Sequence, residues 1–174
     1  MKKLVAALTA LLALIAAPAL ASPLQCVPYA RAHSDVDLHG NAATWWNQAQ
    51  GIYDRGQAPR SGAVLVFKAS GAMPVGHVAV VSKVVDERHV VLNHANWSAP
   101  GMIETAALAE DVSSNGDWSS VRVWYARTGS LGLRASPAFG FIYGPGAAQG
   151  SAPAMASANH DAFETAFADF GAKG

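Results

Sequence analysis

Alternating apolar and polar positions predict a series of β-strands in the second half of the chain. Short stretches rich in β-branched residues follow one another and suit buried or half-buried strands. Asp86, Glu87 and Arg88 form a turn-like break, so the strands on either side of it are expected to make a hairpin. The predicted strands cover residues 63–67, 77–85, 89–93, 121–126 and 139–143.

Two helices are predicted before the first strand. The first covers residues 27–32, where Pro28 is tolerated because it falls in the first helical turn. Cys26 then lies at or just before a helix N-terminus. The second helix covers residues 42–50, and the segment 51–62 is rich in turn residues. Since the helices come first and consecutive strands follow, we expect an α+β domain with an antiparallel sheet.

The N-terminus has the three-part pattern of an export signal. Lys2 and Lys3 precede an almost wholly apolar run over residues 4–17, and residues 19–21 supply a small-x-small cleavage site. The run is shorter than the roughly 20 residues of a membrane-spanning helix. We therefore predict a signal peptide over residues 1–21, a secreted or periplasmic protein, and no membrane span in the mature chain.

The C-terminal segment differs in composition from the rest of the chain. Residues 145–174 begin with a stretch rich in Gly, Ala, Pro and Ser, which is typical of a flexible linker. Phe163, Ala166, Phe167 and Phe170 then follow helical spacing. A short amphipathic helix is expected there, which docks on the domain's own surface or binds a protein partner. The folded domain is placed at residues 22–144.

The charge balance argues against a nucleic-acid partner. Removing Lys2 and Lys3 from the 12 basic side chains leaves 10 against 12 acidic ones, a net charge of −2. A nucleic-acid-binding domain would carry a basic stripe instead.

An alternating His/Asp segment raises the question of a metal site. Imidazoles and carboxylates can hold Zn²⁺ or Ca²⁺, but this set follows no firm ligand spacing. A solvated loop is the simpler interpretation, and no metal or other cofactor is expected. The segment contains His33, Asp35, Asp37 and His39.

Cys26 is the single cysteine of the 174 residues. Exported proteins meet an oxidising compartment in which cysteines usually pair, and a lone one has no partner in its own chain. It is a buried passenger, an intermolecular link or a thiol kept for its chemistry. A helix N-terminus favours the last role, because its dipole and free N–H groups lower a thiol pKa.

A nucleophilic thiol needs a base, and the base needs an orienting group. His77 opens a predicted strand directly after Gly76, which suits a rigidly delivered base. In the predicted hairpin the far end of the second strand lies beside the start of the first, which brings His94 or Asn96 near His77. Each residue also has an ordinary structural interpretation, as a buried thiol, a solvated histidine or a turn residue.

Taken together, these segments resemble a CHAP domain, the cysteine- and histidine-dependent amidohydrolase/peptidase family of the papain-like NlpC-type superfamily. The resemblance spans about residues 25–143. Many family members carry glutamate where His94 stands, and a histidine there is similar to the NlpC-type enzymes. The matching segments are residues 25–31, 40–42 followed by 45–46, 59–67, 76–81, 94–97 and 140–143.

The resemblance implies a papain-like fold with helices packed on an antiparallel sheet, and hydrolysis of amide bonds in peptidoglycan. It makes Cys26 the nucleophile and His77 the base, with His94 favoured over Asn96 as the orienting group. The oxyanion would be bound by the Cys26 backbone N–H, with Tyr29 as a possible second donor. Aromatic side chains would wall the substrate groove or pack in the core; they are Trp45, Trp46 and Trp97.

Two alternatives remain open from the sequence. The missing glutamate and the Phe-bearing tail also fit a catalytically weak or inactive protein that binds or regulates the cell wall. A third possibility is an amidase that acts on a small exported amide.

Overall fold

The protein is described by a computed structural model over residues 22–147. The predicted signal peptide and the predicted C-terminal helix lie outside the described residues. Within those residues, no helix is long and apolar enough to cross a membrane.

Two short helices and a single helical turn precede the strands of the described residues. Helix α1 spans Cys26–His33, a 3-10 turn spans Ala42–Thr44, and helix α2 spans Trp45–Gln48. The first agrees with the predicted helix. The second predicted helix, over residues 42–50, is observed as the 3-10 turn followed by one α-helical turn. The chain turns at Gly51, which has a positive φ of 77°.

Eight antiparallel strands make up most of the domain. Strands β2, β3, β4, β6 and β8 match predicted segments, whereas β1, β5 and β7 were not assigned from the sequence. Their bounds are Asp54–Gly56 (β1), Val64–Phe67 (β2), His77–Val84 (β3), His89–Ala95 (β4), Ile103–Asp111 (β5), Ser120–Tyr125 (β6), Ser130–Leu131 (β7) and Ser136–Tyr143 (β8).

The sheet closes on itself. Its strand order is β1-β8-β2-β3-β4-β5-β6-β7, and a further pairing of β6 with β8 joins the two sides into an antiparallel barrel. The prediction of an antiparallel sheet is therefore confirmed, but the domain is mostly β. The papain-like α+β arrangement with helices as a major layer is not confirmed. Strand β5 makes the difference, because it links β4 to β6 and so allows closure.

The alternation of side chains gives the domain two apolar cores. Leu65 and Phe67 of β2 point into the barrel, while Val64 and Val66 point to its outer face. Helix α1 and residues around α2 cover that outer face. Strands β2 and β3 are buried on both faces where they carry the site. The outer core includes Cys26, Ala30, Val36, Leu38, Ala42, Trp45, Val78, Val80 and Ile142.

Candidate active site

Cys26 is the first residue of α1, as the sequence predicted. The preceding Gln25 is the N-cap residue and has extended backbone angles. The first helical hydrogen bond runs from the Tyr29 N–H to the Gln25 carbonyl, so the N–H groups of Cys26 and Val27 have no acceptor inside the helix. Cys26 is a free, buried thiol with 8% of its surface exposed.

The pKa of the Cys26 thiol moves in the direction opposite to the one expected from its helix position. Burial raises this pKa, and it outweighs the lowering effect of backbone N–H groups of Val78, Val27 and Cys26 itself that face the sulfur. The resting residue is therefore a thiol. The contact with Val78 fixes the sulfur beside the start of β3.

His77 begins β3 because Gly76 allows a sharp entry into the strand. Gly76 has a φ of +72°, and a Cβ there would approach the Ala43 nitrogen to 2.7 Å and the Phe67 carbonyl oxygen to 2.8 Å. Only glycine fits this conformation and this space. His77 pairs with Phe67 of β2 and is 4% exposed.

His94 lies against His77. Nε2 of His77 is 3.0 Å from Nδ1 of His94, with the two rings nearly perpendicular at 80°. The hydrogen bond leaves Nδ1 as the free nitrogen of His77. An irregularity in the register between Leu92 and His94 accompanies this placement. The structure therefore places His94 rather than Asn96 in contact with the His77 ring.

Both histidines are neutral at neutral pH. Burial holds the pKa of His77 well below its ordinary value, and the neighbouring His94 lowers it further. Burial likewise lowers the pKa of His94 to about 4. No hydrogen bond joins the Cys26 sulfur to His77 within the described residues. The resting site is thus a thiol beside a neutral imidazole rather than an ion pair.

An open cavity of about 710 Å³ connects these groups. Pockets of this size suit small-molecule or peptide ligands. Cys26 and His77 both line it, and so do residues from three other segments of the chain. The lining includes Gln25, Met73, Val75, Asn96, Trp97, Tyr125, Leu131, Leu133 and Arg134.

Asn96 supports the helix start instead of orienting His77. It has a positive φ of 65°, its Nδ2 donates to Gln25 Oε1 at 2.8 Å, and its Oδ1 accepts from the Gly101 N–H at 3.0 Å. Through Gln25 it ties the end of β4 to the residue before Cys26.

Of the three predicted groove tryptophans, the structure brings Trp97 to the cavity. Its ring lies 4.9 Å from that of His77 and 5.7 Å from that of His94. Trp45 is fully buried in the outer core, and Trp46 stacks on Phe139. Neither of these two is among the lining residues.

Tyr29, the predicted second oxyanion donor, is not among the lining residues either. It is 3% exposed, and its ring stacks on His33 at 4.0 Å. The buried face of α1, which carries both Cys26 and Tyr29, directs the tyrosine into the protein.

The alternating His/Asp segment makes local contacts. Asp37 accepts from Arg31, and the guanidinium lowers the pKa of that carboxyl. His39 Nε2 lies 3.4 Å from Asp37. Residues 22–147 contain no group of three or more His, Cys, Asp or Glu side chains arranged to hold a metal ion.

Sequence reasoning missed two residues near the centre. Gln25 receives the hydrogen bond from Asn96, and Glu104 faces His94 from the next strand, with its Oε2 3.6 Å from Nε2. Glu104 pairs with His94 across β4 and β5. The sequence could not predict this pairing because β5 was not assigned as a strand.

A buried thiol at a helix start and a histidine whose other nitrogen is engaged line one cavity, and these are the residue types that a nucleophile–base pair requires. The family model for the CHAP domain matches residues 18–96, a stretch that contains Cys26, His77, His94 and Asn96. Over those residues the chain is similar to the CHAP domain, a cysteine- and histidine-dependent amidohydrolase/peptidase domain. Such a domain indicates a hydrolase acting on amide bonds, of the peptidoglycan amidase or peptidase type. Comparison with curated proteins gives no match.

Proposed function

We propose that the protein is an exported hydrolase that cleaves an amide bond in peptidoglycan, as an N-acetylmuramoyl-L-alanine amidase or a peptide endopeptidase. The observation that carries the proposal is the shared cavity: Cys26 and His77 line it together, and His77 holds His94 through Nε2. The predicted signal peptide supports action in the periplasm or outside the cell.

Attack begins from the neutral pair. The Cys26 sulfur bonds to the substrate carbonyl carbon while its proton passes to Nδ1 of His77, the nitrogen not engaged by His94. The backbone N–H groups of Cys26 and Val27, which lack helical acceptors, are the donors for the oxyanion. Charge thus develops during the reaction rather than in the resting enzyme.

Collapse of the tetrahedral species breaks the C–N bond. His77 returns the proton to the leaving amine, and a thioester with Cys26 remains. Water then adds to the thioester with His77 again as the base, which releases a carboxylic acid and restores the thiol.

The lining of the cavity supports a peptide substrate. Trp97 and the apolar side chains of Val75 and Leu133 offer contact area, and Val75 and Leu133 are 50% and 93% exposed. Among the described lining residues, Arg134 carries the one permanent charge. A guanidinium at that position suits a substrate carboxylate, and peptide stems carry such groups.

Clearing of purified peptidoglycan tests the proposal. We expect the wild type to clear it and Cys26→Ala and His77→Gln to lose clearing by at least about 10²-fold, the usual contribution of a nucleophile or a general base. His33→Gln is the matched histidine control, since His33 packs against Tyr29 and does not line the cavity. Equal clearing by the wild type and Cys26→Ala would contradict the proposal.

The raised pKa of Cys26 and the missing thiol–imidazole hydrogen bond favour one second candidate, a wall-binding protein without hydrolytic activity. It predicts that the protein sediments with insoluble peptidoglycan and that no new amino groups form. Release of amino groups by the wild type but not by Cys26→Ala would exclude it.

A further inference from the structure

Glu104 places a fixed carboxylate behind the histidine pair. Its side chain is only 9% exposed, and its Oε2 lies 3.6 Å from Nε2 of the fully buried His94. This separation exceeds a hydrogen bond, so the carboxylate acts on the imidazole mainly through its charge. The family-model match ends at Asn96 and does not reach Glu104.

Ser98 holds this carboxylate in place. The Ser98 hydroxyl donates to Oε1 at 2.7 Å, and the Ser98 N–H donates to Oε2 at 3.2 Å. The hydroxyl oxygen in turn accepts from the Ala126 N–H at 3.0 Å. Ser98 is 3% exposed, so the turn after β4 and the residue that follows β6 fix the position of the carboxylate.

The Glu104 carboxylate determines whether Nε2 of His94 carries a proton. Nε2 is buried and has no hydrogen-bond partner within the described residues, and a negative charge nearby favours a proton there. A neutral imidazole protonated on Nε2 carries its lone pair on Nδ1. Nδ1 of His94 must then accept from Nε2–H of His77, at 3.0 Å.

The tautomer of His94 also determines whether His77 can accept the proton of Cys26. If His77 is protonated on Nε2, its Nδ1 carries the lone pair and can take the proton of Cys26. The opposite tautomer of His94, protonated on Nδ1, would donate to His77 and force the proton of His77 onto Nδ1. In that state the base is unavailable to the thiol. One carboxylate therefore selects between a competent and an incompetent arrangement of both rings.

We propose that Glu104 is a positioning residue of the active site, which sets the tautomers of His94 and His77 so that Nδ1 of His77 is the base for Cys26. Its charge also stabilises the positive charge that His77 gains during attack, relayed through His94. Glu104 thus supplies from β5 the negative charge that the residue at position 94 does not bring. The role rests on the proposed thiol mechanism, but the tautomers are measurable without any turnover.

A purely structural role for Glu104 has a different consequence. Through Ser98 the carboxylate also anchors the turn after β4, and its loss would loosen that turn. Such loosening would lower stability without reversing the two imidazole protons. The ring tautomers therefore separate the two roles.

Nitrogen NMR of protein labelled with ¹⁵N in its histidine rings reports the tautomers directly. The signals are assigned by their loss in His77→Gln and His94→Gln. In the wild type we expect both rings to be protonated on Nε2. In Glu104→Leu we expect the Nδ1-protonated form of both rings to become populated, with kcat reduced on the order of 10²-fold and KM nearly unchanged. Glu87→Gln, an exposed glutamate in the β3–β4 turn, is the charge control and should change neither quantity.

Glu104→Gln removes the negative charge but keeps a side chain of the same shape that can still form hydrogen bonds. Its amide oxygen can still accept at the Oε2 position while its amide nitrogen donates to Ser98. We expect the tautomers to be retained and Cys26 alkylation by iodoacetamide at pH 7 to slow several-fold.

Unchanged tautomers in a folded Glu104→Leu would overturn the proposal. If Glu104→Leu does not fold, an alkylation rate in Glu104→Gln equal to that of the wild type would overturn it. If Glu104→Leu loses the Nε2-protonated tautomers and the wild type cleaves no peptidoglycan, the proposed function is refuted and the positioning role of Glu104 stands.

Discussion

Gly76→Ala tests how rigidly the strand start holds the candidate base. Gly76 has a φ of +72° and precedes His77. An added Cβ would lie 2.7 Å from the Ala43 nitrogen, 2.8 Å from the Ala43 Cβ and 2.8 Å from the Phe67 carbonyl oxygen. Two of these three contacts are to backbone atoms and the third is to a Cβ. No side-chain rotation relieves them, so the start of β3 must shift.

Two costs add in this variant. A non-glycine residue in the left-handed region costs about 1–2 kcal/mol. Overpacking of a dense site costs about a further 1–3 kcal/mol. We therefore expect Gly76→Ala to lower the free energy of unfolding by about 2–5 kcal/mol. Gly51→Ala is the matched control, because Gly51 has a φ of +77° with nothing within 4 Å of the added Cβ. It should lose only about 1–2 kcal/mol.

Urea unfolding of both variants measures the difference, and kcat under folding conditions reports the displacement of His77. Gly76→Ala should lose activity while Gly51→Ala keeps it. Equal losses of stability in the two variants, together with unchanged kcat in Gly76→Ala, would refute the close-packing argument.

Three further predictions follow from the charges of the site. The pKa of His94 is about 4 in the folded protein against about 6.5 unfolded, so its contribution is complete above pH 6.5 and is lost as the pH falls towards 4. Protonation of His94 should contribute about 3 kcal/mol to the loss of unfolding free energy over that range, so urea unfolding should show a smaller loss in His94→Gln than in the wild type; identical losses would contradict it. Because burial raises the pKa of Cys26, its alkylation rate should still be rising above pH 8.5, and a plateau below that pH would be inconsistent with a resting thiol. Arg134→Gln should raise KM about tenfold for carboxylate-bearing substrates with little change in kcat, whereas an unchanged KM would remove Arg134 from substrate binding.

The strands that the sequence predicted are those with dense β-branched or aromatic residues. Segments such as β2 and β3 are buried on both faces, and their composition is strongly biased as a result. Strand β5 begins with Ile103 and Thr105, but its remaining residues are Ala, Leu, Glu and Asp, and Ala, Leu and Glu favour helix by intrinsic propensity. Its pairing with β4 and β6 overrides that preference. Barrel closure therefore could not be predicted.

The same limit applied to the site. The sequence could predict three of the site residues because each lies at an end of a predicted element: Cys26, His77 and His94. Glu104 lies in the unassigned strand, and its role depends on register. The direction of the Cys26 pKa was also wrong, because the helix start is visible in sequence whereas the burial of the sulfur between α1 and β3 is not.

Hydrolysis of purified peptidoglycan in ¹⁸O-labelled water, followed by mass spectrometry, tests the central claim most directly. The proposed mechanism predicts one new amine and one new carboxyl group that has gained a single ¹⁸O atom, formed by the wild type and absent with Cys26→Ala. The masses of the products also identify which amide bond is cleaved. Products without ¹⁸O in a carboxyl group, or identical products from Cys26→Ala, would contradict thiol-dependent amide hydrolysis at this site.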